Sequence, residues 1–260
     1  MSATAAAIDK ALGEGRAAFL AYLPIGYPTL PGSIEAIRAV IDAGTDIVEV
    51  GLPYSDPVMD GPVIQAAGHH ALAGGTRVRD LFTVLEQTAG RGGELVVMTY
   101  WNLVHYYGVD AFARDLAAAG GAGIITPDLI PDEAGEWLAA AETYDLDRIF
   151  LVAPSSTTQR LALTARATRG FIYAASTMGV TGERESVGTR AKPLVERTRA
   201  AGAQRVCVGI GVSTPEQAHE VAAYADGVIV GSTLIRALNT GGIAALTEAA
   251  ADMVSAVSRS

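Results

Sequence analysis

Short apolar runs rich in Val and Ile, helically patterned segments between them that close on glycine, and a length of 260 residues together predict an α/β fold, a (β/α)8 TIM barrel in a single domain. Barrels of this kind take about 250 residues, so the length fits without remainder. A strand-helix unit repeated along the whole chain implies a parallel sheet, and eight candidate strands imply closure. The doubly wound alternative normally places Gly-x-Gly-x-x-Gly after its first strand, and Leu23-Pro24-Ile25-Gly26-Tyr27-Pro28 is not that pattern.

The runs read as strands are 19–23, 47–50, 95–100, 123–126, 149–152, 171–174, 206–209 and 228–230. They are too short for helices and rich in β-branched residues. Between them, Ile34, Ile37 and Ile41 precede Gly44, and Phe112 and Leu116 precede Gly120, each set at helical spacing before a glycine that can take the left-handed cap. A helix is expected to begin near Pro62. Ser213 followed by Pro215 and Glu216 resembles a capping box, and the Ala-rich tail after Gly242 reads as a closing helix. Residues 1–16 carry Asp9, Lys10 and Glu14 without a continuous apolar stretch, so they read as a short N-terminal helical segment rather than a signal peptide. With no linker or charge run, 1–260 is expected to be one barrel domain.

Half the residues are hydrophobic and 18% are charged, enough to bury a large core. The formal net charge of -9 argues against nucleic acid, whose phosphates are held by clustered Lys and Arg. Cys207, the single cysteine, excludes an internal disulfide and a thiolate metal site, and reads as a packed strand residue. No apolar stretch reaches the roughly 20 residues of a membrane span. A cytoplasmic protein is expected.

In barrels the chemistry lies on loops at the carboxyl ends of the strands. In Asp46-Ile47-Val48-Glu49-Val50, alternation puts Glu49 and Ile47 on one face and the two valines on the other. Valines suit the helix layer, which turns Glu49 inward, where burial raises a carboxyl pKa toward the range useful for giving and taking a proton. A surface or salt-bridged Glu with slipped register fits the same pattern. Asp60, in a loop rich in Pro and Gly, reads equally as a second acid or as a helix cap before Pro62.

The string Val48-Glu49-Val50-Gly51-Leu52-Pro53-Tyr54-Ser55-Asp56-Pro57-Val58-Met59-Asp60-Gly61-Pro62-Val63-Ile64-Gln65 closely resembles the signature of the tryptophan synthase alpha family. The likeness continues through Tyr100 and Asn102, Pro127-Asp128 and Gly179-Val180-Thr181-Gly182. It implies retro-aldol cleavage of indole-3-glycerol phosphate to indole and glyceraldehyde 3-phosphate, with Glu49 and Asp60 as the catalytic pair. It further implies an active-site role for Tyr173 and a closing loop after Ser176 in which Thr181 reaches Asp60. The resemblance implies a beta-subunit partner in an alpha2beta2 complex, with Pro53, Tyr54 and Asp56 at the interface. Pyridoxal phosphate then belongs to the partner, and this chain carries no cofactor. Thr177, Met178 and Ile210 stand where family members often carry other residues.

Two late strands run into small residues, Val208-Gly209-Ile210-Gly211-Val212-Ser213 and Val230-Gly231-Ser232-Thr233. Glycine lets backbone approach an anion, and a helix start at Ser232 offers free N–H groups and the positive end of the dipole. Gly209 and Gly211 also suit a tight strand-to-helix turn. By resemblance the phosphate falls among Gly182, Gly211, Gly231 and Ser232. His69 and His70 point about 100° apart on a helix, so no metal site is expected. Two rivals stand beside this reading: a stand-alone indole-releasing lyase and a non-catalytic phosphate-binding subunit.

Overall fold

The computed structural model describes residues 2–175, 187–209 and 211–259, the side chains of 187–190 excepted. Eight parallel strands close into a barrel in chain order: β1 (Ala18–Pro24), β2 (Ile47–Gly51), β3 (Glu94–Met98), β4 (Gly123–Thr126), β5 (Asp147–Val152), β6 (Ile172–Ala175), β7 (Val206–Gly209) and β8 (Gly227–Val230), with β8 paired back to β1. The helices are α1 (Ala3–Gly13), α2 (Leu30–Asp42), α3 (Pro62–Ala73), α4 (Val78–Thr88), α5 (Trp101–Tyr107), α6 (Val109–Ala118), α7 (Gly135–Thr143), α8 (Thr158–Ala167), α9 (Val187–Ala200), α10 (Pro215–Ala222) and α11 (Ser232–Ala256). The expected (β/α)8 barrel is the observed fold. Among the described residues, no helix is long and apolar enough to cross a membrane.

Alternation along the strands splits the core into two layers. Leu20, Ile47, Val96, Ile125, Ile149, Tyr173, Cys207 and Ile229 face the barrel axis and pack with Ile8 and Ala11 of α1, which fills the amino-terminal end of the barrel. Their neighbours Phe19, Val48, Val50, Val97, Phe150, Val208 and Val228 face outward against the helices. Burying each such side chain stabilises the fold by about 1.5–3 kcal/mol relative to leaving it in water.

Helix α1 is latched in place at its first turn. Asp147, 1% exposed at the start of β5, accepts hydrogen bonds from the Ser2 hydroxyl at 2.9 Å, the Thr4 N–H at 3.0 Å and the Thr4 hydroxyl at 2.7 Å. Its other oxygen has Arg169 Nε at 3.4 Å, an ion pair without hydrogen-bond geometry. Asp9 pairs with Arg205 at the start of β7. The amino-terminal end is thus stapled shut, leaving the opposite end for function.

Some boundaries differ from those read in the sequence. The third strand stops at Met98 rather than 100, because Tyr100 becomes the N-cap of α5 and its side chain is recruited to the neighbouring loop. The capping role expected of Ser213 falls one residue later: Thr214 caps α10, and Ser213 instead donates from N–H and hydroxyl to Gln217 Oε1. The tail after Gly242 continues α11 across a kink at that glycine, where φ is +65°.

Candidate active site

Glu49 sits third in β2, 1% exposed, in register with Tyr22 on β1 and Val96 on β3. The slipped-register alternative is excluded, since Ile47 lies in the axial cluster and Val48 and Val50 in the outer one. Among the described residues its Oε1 is buried without a hydrogen-bond partner, and no salt bridge neutralises it. Burial alone pushes the carboxyl up to about 8. Near neutrality it is therefore mostly protonated, a carboxylic acid ready to donate.

Asp60 closes the loop after β2. It does not cap the next helix: Gly61 is the N-cap of α3, with no side-chain cap. The Asp60 carboxylate instead has the Tyr100 hydroxyl donating at 3.4 Å, and its backbone oxygen accepts from the Gln65 amide at 2.8 Å. Burial raises its pKa to about 6, opposed by the Tyr100 hydrogen bond, so it is largely ionised where Glu49 is largely neutral. Two carboxyl groups held on opposite sides of neutrality divide acid and base roles between them.

Tyr22 and Tyr173 line the same space. Burial first, and then the charges of Asp60 and Glu49, push both phenols well above their ordinary range, so both acids bear on both rings. Tyr173 is the second residue of β6 and lies inside the barrel. A methyl group added at Gly209 would collide with the Tyr173 hydroxyl and ring, and one at Gly51 with the Tyr22 hydroxyl and ring. Both glycines make room for a tyrosine from a neighbouring strand.

Two strands round from β2, across β1, Gly231 is the N-cap of α11, and no side chain among the described residues caps that helix. Ser232 begins it, and the Thr233 hydroxyl donates to the Ser213 carbonyl at 3.1 Å, tying the helix start to the loop after β7. Gly211 in that loop is exposed at φ +107°, a backbone conformation that favours glycine. An uncapped helix start beside an exposed glycine loop has the donors and dipole an anion requires.

Thr181, Gly182 and the stretch from Ser176, with Thr177, Met178, Gly179 and Val180, lie outside the described residues, as does Ile210. In the loop between the acids, Pro53 is buried, Tyr54 is half-buried and stacked on Tyr100 with ring centroids 4.8 Å apart, and Asp56 is exposed. Cys207 is a buried axial strand residue. Among the described residues no three His, Cys, Asp or Glu side chains gather as metal ligands.

The sequence reading passed over Tyr22, although the parity that turned Glu49 inward also pairs Tyr22 with Leu20 on the axial face of β1. The second purpose of Gly51 and Gly209 depends on aromatic neighbours from other strands and has no local signal.

A closed parallel barrel with a buried, unpaired carboxylic acid at its mouth defines a barrel enzyme of the acid–base class. A family model described as tryptophan synthase alpha chain matches residues 8–258. The tryptophan synthase alpha chain of Mycobacterium avium (strain 104) is 62% identical over 233 residues, covering 90% of this chain and 86% of that one. That of Nocardia farcinica (strain IFM 10152) is 59% identical over 246 residues, covering 94% and 92%. A solved structure of Mycobacterium tuberculosis tryptophan synthase superposes with a TM-score of 0.93 at 55% identity over 98% of both chains. The chain belongs to the tryptophan synthase alpha chain family. It is a carbon–carbon lyase of tryptophan biosynthesis that cleaves indole-3-glycerol phosphate to indole and glyceraldehyde 3-phosphate, and its partner is a tryptophan synthase beta chain.

Proposed function

We propose that Glu49 and Asp60 carry this cleavage as a general acid/base pair. The observation that supports it most is the Glu49 carboxyl, buried with Oε1 unpaired and held largely protonated at neutral pH. Direct C–C cleavage expels a poorly stabilised indole carbanion, so the ring is protonated first. Glu49 gives its proton to indole C3, breaking the ring's aromaticity, and the ionised Asp60 accepts a hydrogen bond from the ring N–H, stabilising the positive charge. The bond between C3 and the glycerol carbon then breaks, its electron pair returning to the ring. The Glu49 carboxylate takes the proton from the adjacent hydroxyl as that carbon becomes an aldehyde.

Gly211, Gly231 and Ser232 hold the substrate phosphate, supported by the uncapped start of α11 and the exposed glycine loop tied to it. Gly182 and Thr181 join them by resemblance. Tyr173 lines the indole end, and Gly209 serves chiefly by admitting its ring. The beta chain docks on the loop between the acids, through Asp56 and the exposed part of Tyr54, with Pro53 shaping the loop from beneath. The complex is alpha2beta2, cytoplasmic, and carries its pyridoxal phosphate on the beta chain. Residues 1–260 act as one domain with α1 as its N-terminal segment.

The test is steady-state cleavage of indole-3-glycerol phosphate by the purified chain, with and without a tryptophan synthase beta chain, for the unsubstituted protein and Glu49→Gln. General acid/base groups contribute about 10²–10⁴ in rate, so Glu49→Gln is expected to lose at least a hundredfold in kcat with substrate binding retained. Turnover within tenfold of the unsubstituted chain contradicts the assignment of Glu49.

A further inference from the structure

Tyr22 bridges the two ends of the candidate site, and neither the acid pair nor the phosphate cradle accounts for its hydroxyl. Its ring is anchored against Gly231, where an added Cβ would stand 3.2 Å from Tyr22 Cβ, 3.3 Å from Cδ1 and 3.5 Å from Cγ. Gly231 caps α11, where the phosphate is placed. From there the ring crosses β1 toward β2 and ends over Gly51, whose added Cβ would fall on the Tyr22 hydroxyl. Gly51 lies two residues beyond Glu49 on the same strand, so the hydroxyl stands one step above the acid.

A substrate with its phosphate at the start of α11 and its breaking bond at Glu49 must lay its three-carbon chain along this ring. That chain carries two hydroxyls. One lies on the carbon that becomes the aldehyde and belongs to Glu49; the other, on the middle carbon, has no partner in the acid–base scheme. The Tyr22 hydroxyl in turn has no hydrogen-bond partner among the described residues. Burial and the nearby acids keep the phenol protonated, and hence a donor, throughout the working pH range. A phenylalanine would supply the same ring; only the hydroxyl needs a reason.

We propose that the Tyr22 hydroxyl donates a hydrogen bond to the middle-carbon hydroxyl of the glycerol chain, and so selects hydroxylated substrates and sets the breaking bond over Glu49. The inference rests on the acid–base reading above. A site built around a hydrogen bond to a substrate hydroxyl discriminates against analogues that lack it, because its own polar group is then left unpaired.

Tyr22→Phe removes the hydroxyl and keeps the ring. Measured with a beta chain present, kcat/KM for indole-3-glycerol phosphate is expected to fall about 3- to 10-fold, the worth of one neutral hydrogen bond. The Kd of the analogue with an unsubstituted propyl chain between indole and phosphate should stay the same or fall, since its unpaired hydroxyl penalty is relieved, and the pH limbs of the reaction should not move. A kcat/KM within twofold of the unsubstituted chain, or an analogue that loses affinity by the same factor as the substrate, overturns the proposal while leaving the acid pair intact. An unsubstituted chain that fails to cleave substrate even with a beta chain overturns the acid–base reading itself, and the role of Tyr22 with it.

Discussion

The Tyr100 hydroxyl, donating to Asp60 Oδ1 at 3.4 Å, also accepts hydrogen bonds from the backbone N–H groups of Val58 and Met59, each at 3.0 Å. One phenol therefore fixes both the second acid and the loop that carries it. The Tyr54 ring stacks on the same tyrosine, and Asp56 and Val58 project from that loop into solvent, Val58 with 70% of its surface exposed. If the beta chain docks on the exposed loop as proposed, a force there reaches Asp60 through Tyr100.

Tyr100→Phe tests that coupling. Removing the hydroxyl leaves Asp60 without the hydrogen bond that lowers its pKa, and burial, which raises it, then acts unopposed. The acidic limb of the pH–rate profile is expected to move to higher pH, and activation by a beta chain to weaken several-fold. Steady-state rates between pH 5 and 8, with and without the beta chain, read both effects; an unmoved acidic limb would show that Tyr100 only packs.

The two acids set a second prediction. With Glu49 required protonated and Asp60 ionised, kcat should hold a plateau between about 6 and about 8 and fall on either side. Glu49 also leaves a mark on stability. Its folded-state pKa lies above its unfolded value, so the stability associated with its proton is present at acid pH and is lost as pH rises from about 4.5 through about 8. Glu49→Gln should therefore melt close to the unsubstituted chain at pH 5 and above it at pH 8, by on the order of a few kcal/mol. Calorimetric melts at the two pH values check this. A Tm difference that does not widen with pH would mean that the carboxyl has an unseen partner.

Gly209→Ala examines what that glycine is for. If it chiefly admits the Tyr173 ring, the added methyl group displaces the ring, weakens binding of the indole end and leaves the phosphate end untouched. KM for indole-3-glycerol phosphate should then rise while inhibition by glycerol phosphate stays unchanged, and a parallel loss of both would return Gly209 to the phosphate cradle.

The fold was legible in the chain because short apolar strands alternate with helically patterned segments, several of them closed by glycine, and this pattern repeats eight times. Glu49 was legible as an inward residue for the same reason: strand alternation is a local rule, and two outward valines fix its sense. Asp60 was not, since Asp before Gly-Pro fits a helix cap as well as an acid. Only Tyr100, 40 positions on, decides that it turns from α3 toward the mouth. The third strand was read two residues too long because Thr99 and Tyr100 have good strand propensity, and what withdraws them is the hydroxyl's engagement with Val58 and Met59. Contacts between distant loops leave no periodic trace in a sequence.

Asp147 provides a control at the far end of the barrel. It accepts three hydrogen bonds from the first turn of α1, and a methyl group added at Gly170 would collide with the Thr4 hydroxyl, so the latch is close-packed. Asp147→Ala strands the Ser2 and Thr4 donors, while Arg169 keeps its pairing with Asp145, at a loss of roughly 2–4 kcal/mol. For a domain of this size that lowers the melting temperature by about 5–15 °C. Glu49, Asp60 and the start of α11 lie at the opposite mouth, so kcat and KM measured well below the melting transition should stay within about twofold of the unsubstituted chain. A variant that melts normally would show that α1 is held by the apolar contacts of Ile8 and Ala11 alone. One that melts early and also loses turnover would show that the latch reaches the chemistry through the stacked axial side chains between the two ends.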